Sequence, residues 1–240
     1  MQTFTAAVSR ITDLTHDVRE IELRLLEPPR IRFQPGQFVS FEVDRAGAPF
    51  PITRAYSIAS SPDEEDRILL LLNLVPGGSG SGYLFGLREG DETGFRGAAG
   101  SFTLAPGPRD LLFVATGTGI APFRSMLWWL AEHDPARRVT LFWGVRSERD
   151  MYYQDELARL RERLPNLSSV TTLSRPSGTW AGPAGRVTPL VDTRIESVAN
   201  LEVFVCGNSG MIADVVAIVR RKGICPIRRE QYYVDVPAGS

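Results

Sequence analysis

The stretch VATGTGIAPFRSM, residues 114–126, joins the end of an apolar strand to a turn that contains two glycines and two threonines. Pro122 then opens a helix, at a position where its missing N–H costs nothing. Such a strand–turn–helix directs backbone N–H groups and a helix dipole at a phosphate, so it indicates a nucleotide-binding loop. Because Pro122 replaces the third glycine of G-x-G-x-x-G, a plain tight turn is the alternative.

Around this stretch, short apolar strands alternate with helical patterns, which predicts a parallel, doubly wound α/β sheet. Ligands of such sheets bind at the carboxyl ends of the strands. The predicted strands are residues 110–117, 139–145, 168–174 and 201–207, and the predicted helices are residues 122–133, 150–164 and 209–222.

The N-terminal half, residues 3–104, shows period-two alternation that is interrupted by Gly- and Pro-rich turns. Val39, Phe41 and Val43, for example, alternate with polar residues. Short strands at this spacing predict an antiparallel barrel or sandwich. The period changes within the Pro- and Gly-rich segment 105–110, so we expect an antiparallel β-barrel domain followed by a nucleotide-binding α/β domain.

Composition excludes several classes of function. The 240 residues carry a net charge of −1, whereas a general nucleic-acid or membrane-surface role needs a basic excess. Two cysteines and two histidines supply neither a disulfide framework nor an iron–sulfur cluster nor a metal site. The N-terminus lacks a signal-peptide pattern, and no run of about 18 apolar residues occurs. We therefore expect a soluble, cytoplasmic protein that does not insert into membranes.

Two further strand ends place special residues on the predicted ligand edge. Gly144 ends the second α/β strand, and Arg146 follows it, where a guanidinium could pair with a phosphate or simply be solvated. Cys206 and Gly207 end the fourth strand, where the cysteine could also be a small buried side chain. Small or special residues at three strand ends favour a common ligand.

Two polar segments of the N-terminal half each allow two interpretations. RAYSIASSP, residues 54–62, is either an edge strand with a polar face or a strand that holds something flat and charged. VPGGSGSGYLF, residues 75–85, is either a flexible hairpin loop or a nest of N–H groups and hydroxyls around a pyrophosphate.

Taken in order, these motifs resemble those of the ferredoxin–NADP+ reductase superfamily, which comprises flavin- and nicotinamide-dependent enzymes, over nearly the whole chain. RAYS resembles the flavin-binding R-x-Y-S motif, and GGSGSGYL resembles the pyrophosphate segment, with Ser81 at its serine position. GDETGFRGAAGSFTL resembles the end of the barrel, although Ala98 replaces a frequent proline. ATGTGIAP, GVR-x-x-x-DMYY and VCGNSGM resemble the nicotinamide-nucleotide motifs.

The resemblance implies a FAD-binding β-barrel domain at 1–107, an NAD(P)-binding α/β domain at 108–240, and separate roles for individual residues. Arg54 would meet the flavin pyrophosphate, Tyr56 would stack on the isoalloxazine, and Ser57 would hydrogen-bond flavin N5. Cys206 would lie near nicotinamide C4. The implied cofactor-binding residues are Arg54, Ala55, Tyr56, Ser57, Asn73, Val75, Gly80 and Ser81 for FAD, and Thr116, Gly117, Thr118, Gly119, Gly144, Arg146, Ser174, Arg175, Cys206, Gly207 and Met211 for NADPH or NADH.

The C-terminal segment and the third α/β strand end extend this resemblance. Glu230-Gln231-Tyr232 has the Glu-x-Tyr spacing that closes plant-type members, although eight residues follow Tyr232. Tyr232 would cover the flavin face where nicotinamide stacks, with Tyr233 as its competitor, or both would be ordinary last-strand aromatics. Together with Ser57 and Cys206, Glu230 and Tyr232 are the implied catalytic residues.

Ser174-Arg175 stands where NADPH-using relatives hold the 2′-phosphate, so we expect NADPH in preference to NADH. The implied function is an FAD-dependent NAD(P)H reductase that passes electrons to a separate carrier such as ferredoxin or flavodoxin. It would act as a monomer. Alternatives are a flavin reductase or a reductase component that supplies an oxygenase, a regulatory electron-transfer subunit of the dihydroorotate dehydrogenase type, and a binding module without turnover.

Overall fold

The computed structural model of the chain describes residues 1–44, 47, 49–104 and 107–233. The described residues form two compact units, of which the first contains Met1–Leu104 and Ala121–Trp129. The second contains the rest of the described chain. Within these ranges, none of the helices combines the length and the apolarity that crossing a bilayer requires.

The first unit is a six-stranded antiparallel sheet with one short helix. Its strands lie in the order β4-β3-β6-β1-β2-β5. Directly after β4, Ile58 makes a bridge to Leu70 in β5, so the two edges of the sheet meet and the sheet curls into a barrel. The elements are β1 (Gln2–Asp13), β2 (Val18–Glu27), β3 (Phe38–Val43), β4 (Ile52–Ser57), β5 (Arg67–Asn73), α1 (Ser79–Gly86) and β6 (Glu92–Ala99).

The inner face of this barrel is apolar because alternate residues of each strand point to the same side. Phe4 of β1 and Phe95 of β6 are paired across the strands and stack with ring centroids 5.3 Å apart. Phe41 of β3 packs on Phe95 at 5.7 Å. These buried rings give the barrel a filled core rather than an open channel.

Helix α2 (Ala121–His133) follows the glycine-rich turn 117–120, and its first part packs with the barrel. The Phe123 ring lies 5.8 Å from that of Phe102, and both side chains are buried. The Arg124 guanidinium donates a hydrogen bond of 2.7 Å to the carbonyl of Ala59. The segment after β4 is therefore fixed by a side chain of α2.

The second unit is a five-stranded parallel sheet in the order β11-β10-β7-β8-β9, with helices between its strands. The chain moves outward from β7 in one direction and then returns to β10, so the order reverses between β7 and β10. The remaining elements are β7 (Asp110–Thr116), β8 (Val139–Val145), α3 (Gln154–Arg163), β9 (Leu167–Leu173), α4 (Val187–Arg194), β10 (Leu201–Asn208), α5 (Ser209–Lys222) and β11 (Ile227–Tyr233).

These two architectures confirm the predicted fold class, an antiparallel barrel followed by a doubly wound α/β sheet. Helices α4 and α5 cover the sheet through one buried apolar cluster that includes Val187, Val191, Val215 and Val219. The carboxyl ends of β7, β8 and β10 emerge at one edge of the sheet, which is where the sequence analysis placed a ligand.

Three local expectations differ from the structure. The predicted helix 150–164 was wrong at its start, because residues Glu148–Asp150 form a short 3₁₀ turn and Tyr153 adopts φ 60°, so α3 begins only at Gln154. Helix α4 was not predicted. The Gly/Ser segment 75–85, for which a hairpin loop was one interpretation, contains helix α1.

Candidate cofactor sites

The end of strand β4 presents the residues of the R-x-Y-S motif at an edge of the first sheet. Arg54 and Ala55 are exposed, Tyr56 is half-buried, and Ser57 is buried with 3% of its surface accessible. The Tyr56 ring packs edge-on against Phe41, with centroids 5.9 Å apart. The motif therefore offers a cation, an oriented aromatic ring and a shielded hydroxyl along one strand.

Gly80 brings helix α1 into direct contact with this strand. A β-carbon on Gly80 would lie 2.6 Å from the Tyr56 hydroxyl oxygen and 2.7 Å from Cγ of Arg54. No larger residue fits there without displacing those side chains. No side chain caps α1 at Gly78, and the first N–H groups of a helix lack partners within the helix. The Arg54 cation and these N–H groups suit an anionic phosphate, and the Tyr56 ring suits a flat ring system.

Ser81 closes the loop that precedes Gly80. Its hydroxyl accepts a hydrogen bond of 3.0 Å from the Val75 N–H and lies 3.3 Å from the Gly78 carbonyl. Asn73, at the end of β5, is half-buried beside this loop's start. Asn73, Val75, Gly80 and Ser81 thus lie along one segment from the end of β5 to the first turn of α1, and the Ser81 hydroxyl holds the backbone of the loop within it.

The later serines of RAYSIASSP have structural roles that the sequence did not indicate. The Ser60 hydroxyl accepts a hydrogen bond of 3.1 Å from the Leu69 N–H. The Ser61 hydroxyl donates one of 2.9 Å to the Asp63 carboxylate. These bonds fix the turn after β4, so Ser57 is the hydroxyl of the segment that belongs to the motif at the strand end.

In the second unit, the glycine turn after β7 packs tightly on the end of β10. A β-carbon on Gly119 would overlap the carbonyl oxygen of Cys206, and one on Gly207 would overlap Oγ1 of Thr116. Gly117 adopts φ 52° in the left-handed region, and its carbonyl accepts a hydrogen bond of 2.9 Å from the Trp143 indole. The predicted residues of β7 and β10 therefore lie together at the point where the strand order reverses.

Helix α5 begins directly after this turn contact. The Asn208 side chain accepts a hydrogen bond of 2.8 Å from the Met211 N–H and caps the helix. The Met211 side chain packs beside Gly207, where a β-carbon would lie 2.9 Å from the Met211 methyl. Met211 and Gly207 are therefore neighbours at the start of α5.

Cys206, Glu230 and Tyr232 lie together on β10 and β11. Cys206 pairs with Glu230 in the parallel register, and the cysteine is buried. Burial raises the pKa of the Cys206 thiol well above its usual range, the Glu230 charge raises that pKa further, and an interaction with Tyr232 works in the opposite direction. The cysteine is therefore a neutral thiol at physiological pH. Ser57 lies in the first unit, and the side chain of Tyr233 lies outside the described residues.

The ends of β8 and β9 bring two arginines next to each other along the backbone. The N–H of Ser174 donates to the Val145 carbonyl at 3.0 Å, and the N–H of Arg175 donates to the Arg146 carbonyl at 2.7 Å. Both arginine side chains are exposed. Gly144 lies against α4, because a β-carbon added at this position would be 3.2 Å from Cβ of Val187.

Comparison with known proteins agrees with both units. Residues 5–104 match the oxidoreductase FAD-binding domain family, and residues 113–217 match the oxidoreductase NAD-binding domain family. The chain is 34% identical over 239 residues to ferredoxin–NADP reductase B of Sorangium cellulosum (strain So ce56), covering 97% of this chain and 96% of that protein. The chain belongs to the ferredoxin–NADP reductase superfamily.

Two other similar proteins are longer than this reductase. The electron transfer component of toluate 1,2-dioxygenase from Pseudomonas putida is 30% identical over 224 residues, which are 93% of this chain and 65% of that protein. The crystal structure of the Amycolatopsis cytochrome P450 reductase GcoB superimposes with a TM-score of 0.85 at 30% identity, covering 96% of this chain and 70% of that one. The chain thus spans about two thirds of the length of these two relatives.

The family assignment establishes the cofactors and the class of enzyme. This reductase is an NAD(P)H-dependent flavoprotein oxidoreductase with an FAD-binding and an NAD-binding domain. The Arg54–Tyr56–Gly80 contact and the glycine turn at 117–119 provide the cation, the stacking surface and the close backbone approach that these cofactors need. The residues present therefore fit FAD and a nicotinamide nucleotide.

Sequence reasoning missed two residues that shape the nucleotide edge. Trp143 holds the Gly117 carbonyl, and it looked like an ordinary strand aromatic. Glu148 accepts two hydrogen bonds from Ser177, which follows the predicted 2′-phosphate position. The sequence contained a signal for Glu148, because Ser147 and Asp150 have the spacing of a capping box, and this box fixes the turn that carries Glu148.

Proposed function

We propose that this protein takes a hydride from NADPH or NADH onto bound FAD and passes the electrons to a separate carrier protein such as ferredoxin or flavodoxin. The observation that supports the proposal is the cradle of Arg54, Tyr56 and Gly80, in which a cation and an aromatic ring lie beside a close backbone approach. The 240 residues contain two cysteines, fewer than the four thiolates of an ordinary iron–sulfur cluster, so these residues do not hold such a cluster themselves.

FAD, when bound, supplies a centre that accepts a hydride and returns single electrons. On the protein side, Arg54 would neutralise the pyrophosphate charge, and Tyr56 would stack on the flavin ring. Ser57 would donate a hydrogen bond at flavin N5. Ala55, Asn73, Val75 and Ser81 would add to the cradle around Gly80, with Ser81 acting through the loop backbone.

The nicotinamide nucleotide binds along the edge that Thr116, Gly117, Thr118, Gly119, Gly144, Gly207 and Met211 form at the strand ends. Cys206, a buried neutral thiol that pairs with Ala115 and Glu230 on the neighbouring strands, would lie near nicotinamide C4. Tyr232 would cover the flavin face where the nicotinamide stacks. Cys206, Glu230 and Tyr232, together with Ser57, are the proposed catalytic group.

The arginine pair at the ends of β8 and β9 supports a preference for NADPH. Arg146 and Arg175 extend into solvent from backbone positions that hydrogen-bond to each other. Two guanidinium groups favour a phosphate ester over a free hydroxyl. We propose that Arg175, with Ser174, holds the 2′-phosphate. Arg146 pairs with a neighbouring phosphate of the nucleotide.

The redox partner is proposed by analogy with two relatives. One relative is named a ferredoxin–NADP reductase and another an electron transfer component of a dioxygenase. We propose a monomeric, cytoplasmic enzyme that meets its redox partner transiently and that binds neither nucleic acid nor membrane.

A second candidate function is the reductase component of an oxygenase, including one that supplies reduced flavin. It is favoured by the 30% identity to the toluate dioxygenase component and to GcoB. The affinity for FAD distinguishes the two forms of this function, since a tightly held FAD serves protein-to-protein transfer, whereas a flavin reductase releases its flavin.

The colour of the purified protein and the kinetics of its flavin reduction distinguish the leading function from the second candidate. We expect a yellow protein from which FAD is released on denaturation. Stopped-flow reduction of that FAD by NADPH and NADH, followed by reoxidation with ferredoxin, flavodoxin and oxygenase candidates, identifies the nucleotide and the acceptor. A colourless protein that reduces added free flavin would replace the leading function with the flavin-releasing one.

A further inference from the structure

Glu148 and Ser177 connect two loops at the carboxyl edge of the second unit. Glu148 belongs to the 3₁₀ turn after β8, and Ser177 belongs to the loop after β9. Glu148 Oε1 accepts a hydrogen bond of 2.9 Å from the Ser177 N–H and one of 2.7 Å from the Ser177 hydroxyl. One carboxylate oxygen thus holds both donors of a single residue.

This contact extends a short series of bonds between the two loops. Ser174 donates to Val145 and Arg175 donates to Arg146 through backbone groups. Glu148 supplies the next connection from its side chain, two residues beyond Arg175 in the partner loop. Among these bonds, the one from Glu148 involves a side chain, whereas the other two join backbone groups. A substitution at Glu148 can therefore remove it.

The turn that carries Glu148 is itself fixed. Asp150 Oδ2 accepts from the Ser147 N–H at 2.8 Å and from the Ser147 hydroxyl at 2.7 Å. The Ser177 hydroxyl uses its proton on Glu148, so the Thr179 hydroxyl, 2.9 Å away, must donate to Ser177. A chain of oriented groups therefore runs from Thr179 through Ser177 to a carboxylate on a rigid turn.

Glu148 carries a negative charge, which suits an acceptor of these hydrogen bonds. Hydrogen bonding from the Ser177 hydroxyl, followed by bonds from the backbone N–H groups of Glu148 and Ser177, lowers the pKa of the Glu148 carboxyl below its usual range. The carboxylate is ionised at neutral pH and accepts hydrogen bonds only.

We propose that Glu148 is a positioning residue for nucleotide selectivity, holding the loop at 174–177 so that Arg175 stays beside Arg146 to receive a 2′-phosphate. The inference rests on the proposed nucleotide role of Arg175. Glu148 does not touch the nucleotide. It acts by ordering the loop before binding, so that the phosphate does not have to bear the entropic cost of ordering it.

Hydrogen bonding and charge at Glu148 have opposite effects on a phosphate ligand. The hydrogen bonds order the arginine loop and favour binding, whereas the negative charge repels a phosphate. Glu148→Gln keeps an oxygen that can accept from Ser177 and removes the charge. Glu148→Ala removes both. The pair of variants therefore separates positioning from electrostatics.

The test measures binding of adenosine 2′,5′-bisphosphate to the FAD-loaded protein by calorimetry, with KM and kcat for NADPH and NADH as a second measurement. Glu148→Ala should weaken binding of the bisphosphate about fivefold, as expected for the loss of hydrogen bonds to an exposed carboxylate. The KM for NADPH should rise by a similar factor, with kcat and the KM for NADH within about twofold of wild type. Hydrogen exchange of the segment 174–180 should accelerate.

Two further variants sharpen the result. Glu148→Gln should bind the bisphosphate as well as wild type or better, and Glu162→Ala, which removes an exposed glutamate of α3, should change nothing. Unchanged hydrogen exchange of the segment 174–180 in Glu148→Ala, or a loss of bisphosphate binding in Glu148→Gln equal to that in Glu148→Ala, would overturn the positioning role. Arg175→Ala distinguishes the two levels. If it weakens NADPH and NADH equally, the proposed role of Arg175 fails together with this inference. If it is selective while Glu148→Ala is silent, only the positioning role fails.

Discussion

The backbone at Gly119 lies directly against the carbonyl group of Cys206, so close that a β-carbon at position 119 would overlap the carbonyl oxygen. The obstacle is backbone on both sides, and no side-chain rotation relieves it. The glycine of the turn after β7 and the cysteine near the end of β10 are therefore one structural unit at the nucleotide edge.

Gly119→Ala should disrupt this edge. The turn or the end of β10 must shift, at a cost of about 1–3 kcal/mol in the free energy of unfolding, as for other overpacked sites. NADPH binding should weaken at the same time. Thermal unfolding and NADPH titration measure the two effects. Gly86→Ala is the matched control, since a β-carbon at Gly86 meets open space. A stable Gly119→Ala protein with normal NADPH binding would contradict the tight packing.

Gly80→Ala should weaken flavin binding without unfolding the barrel. The new methyl meets the tip of Tyr56 and the Arg54 side chain, both of which can move, so the barrel stays folded while the cradle is displaced. We expect FAD affinity to fall about tenfold or more, which is about 1.4 kcal/mol. The ratio of flavin to protein absorbance after gel filtration reports it. Gly82→Ala, in the same helix and facing open space, should keep its FAD.

Ser57→Ala should slow flavin reduction while FAD remains bound. Removing an oriented donor at the reacting atom commonly costs about 10²-fold or more in rate. Stopped-flow absorbance at saturating NADPH measures the reduction step directly. Ser61→Ala is a suitable control, because the Ser61 hydroxyl bonds to Asp63 in the turn. An unchanged rate in Ser57→Ala removes this residue from the proposed catalytic group.

The two cysteines should differ in reactivity. Burial and the Glu230 charge raise the pKa of Cys206, whereas Cys225 is only partly buried and Arg109 opposes the increase in its pKa. Iodoacetamide near pH 8 should therefore modify Cys225 and spare Cys206 until the protein unfolds. Mass spectrometry of tryptic peptides measures both rates. Rapid modification of Cys206 in the folded protein would show that the thiol is not shielded.

Cys206 should also make stability depend on alkaline pH. Its pKa is higher in the folded state than in the unfolded chain, where a thiol titrates near about 8.5. The unfolded state therefore releases this proton first, and the contribution to stability is present below that pH and is lost as the pH rises above it. Denaturant unfolding at pH 7.5 and 9.5 should show a smaller decrease for Cys206→Ala than for wild type.

How far the sequence predicted the structure depended on local signals. Helix α5 was predicted with its observed bounds, because Asn208 caps its start and an unbroken apolar periodicity follows. Helix α2 was predicted to within one residue, because Pro122 marks its first turn. In both cases the residues at the helix start and the apolar periodicity indicate the same helix.

Elements that depend on tertiary packing were missed or misplaced. Helix α1 contains three glycines and two serines, a composition that favours loops, and it forms where Ser81 and close packing at Gly80 hold the chain. Helix α4 has Pro189 within it and little polar–apolar contrast, and it is held by Val187 and Val191 in the core. The Glu148–Ser177 contact joins residues 29 positions apart, which no periodicity reveals.

Helix α2 has a consequence for recombining this reductase with its longer relatives. Its first part packs with the barrel, through Phe123 on Phe102 and Arg124 on Ala59, although it follows the glycine turn of the α/β sheet along the chain. A chimera spliced near residue 105 would give the barrel a foreign helix. Domain exchange should therefore succeed only when residues 121–129 come from the same protein as the barrel. The segment that must be exchanged together is discontinuous in sequence.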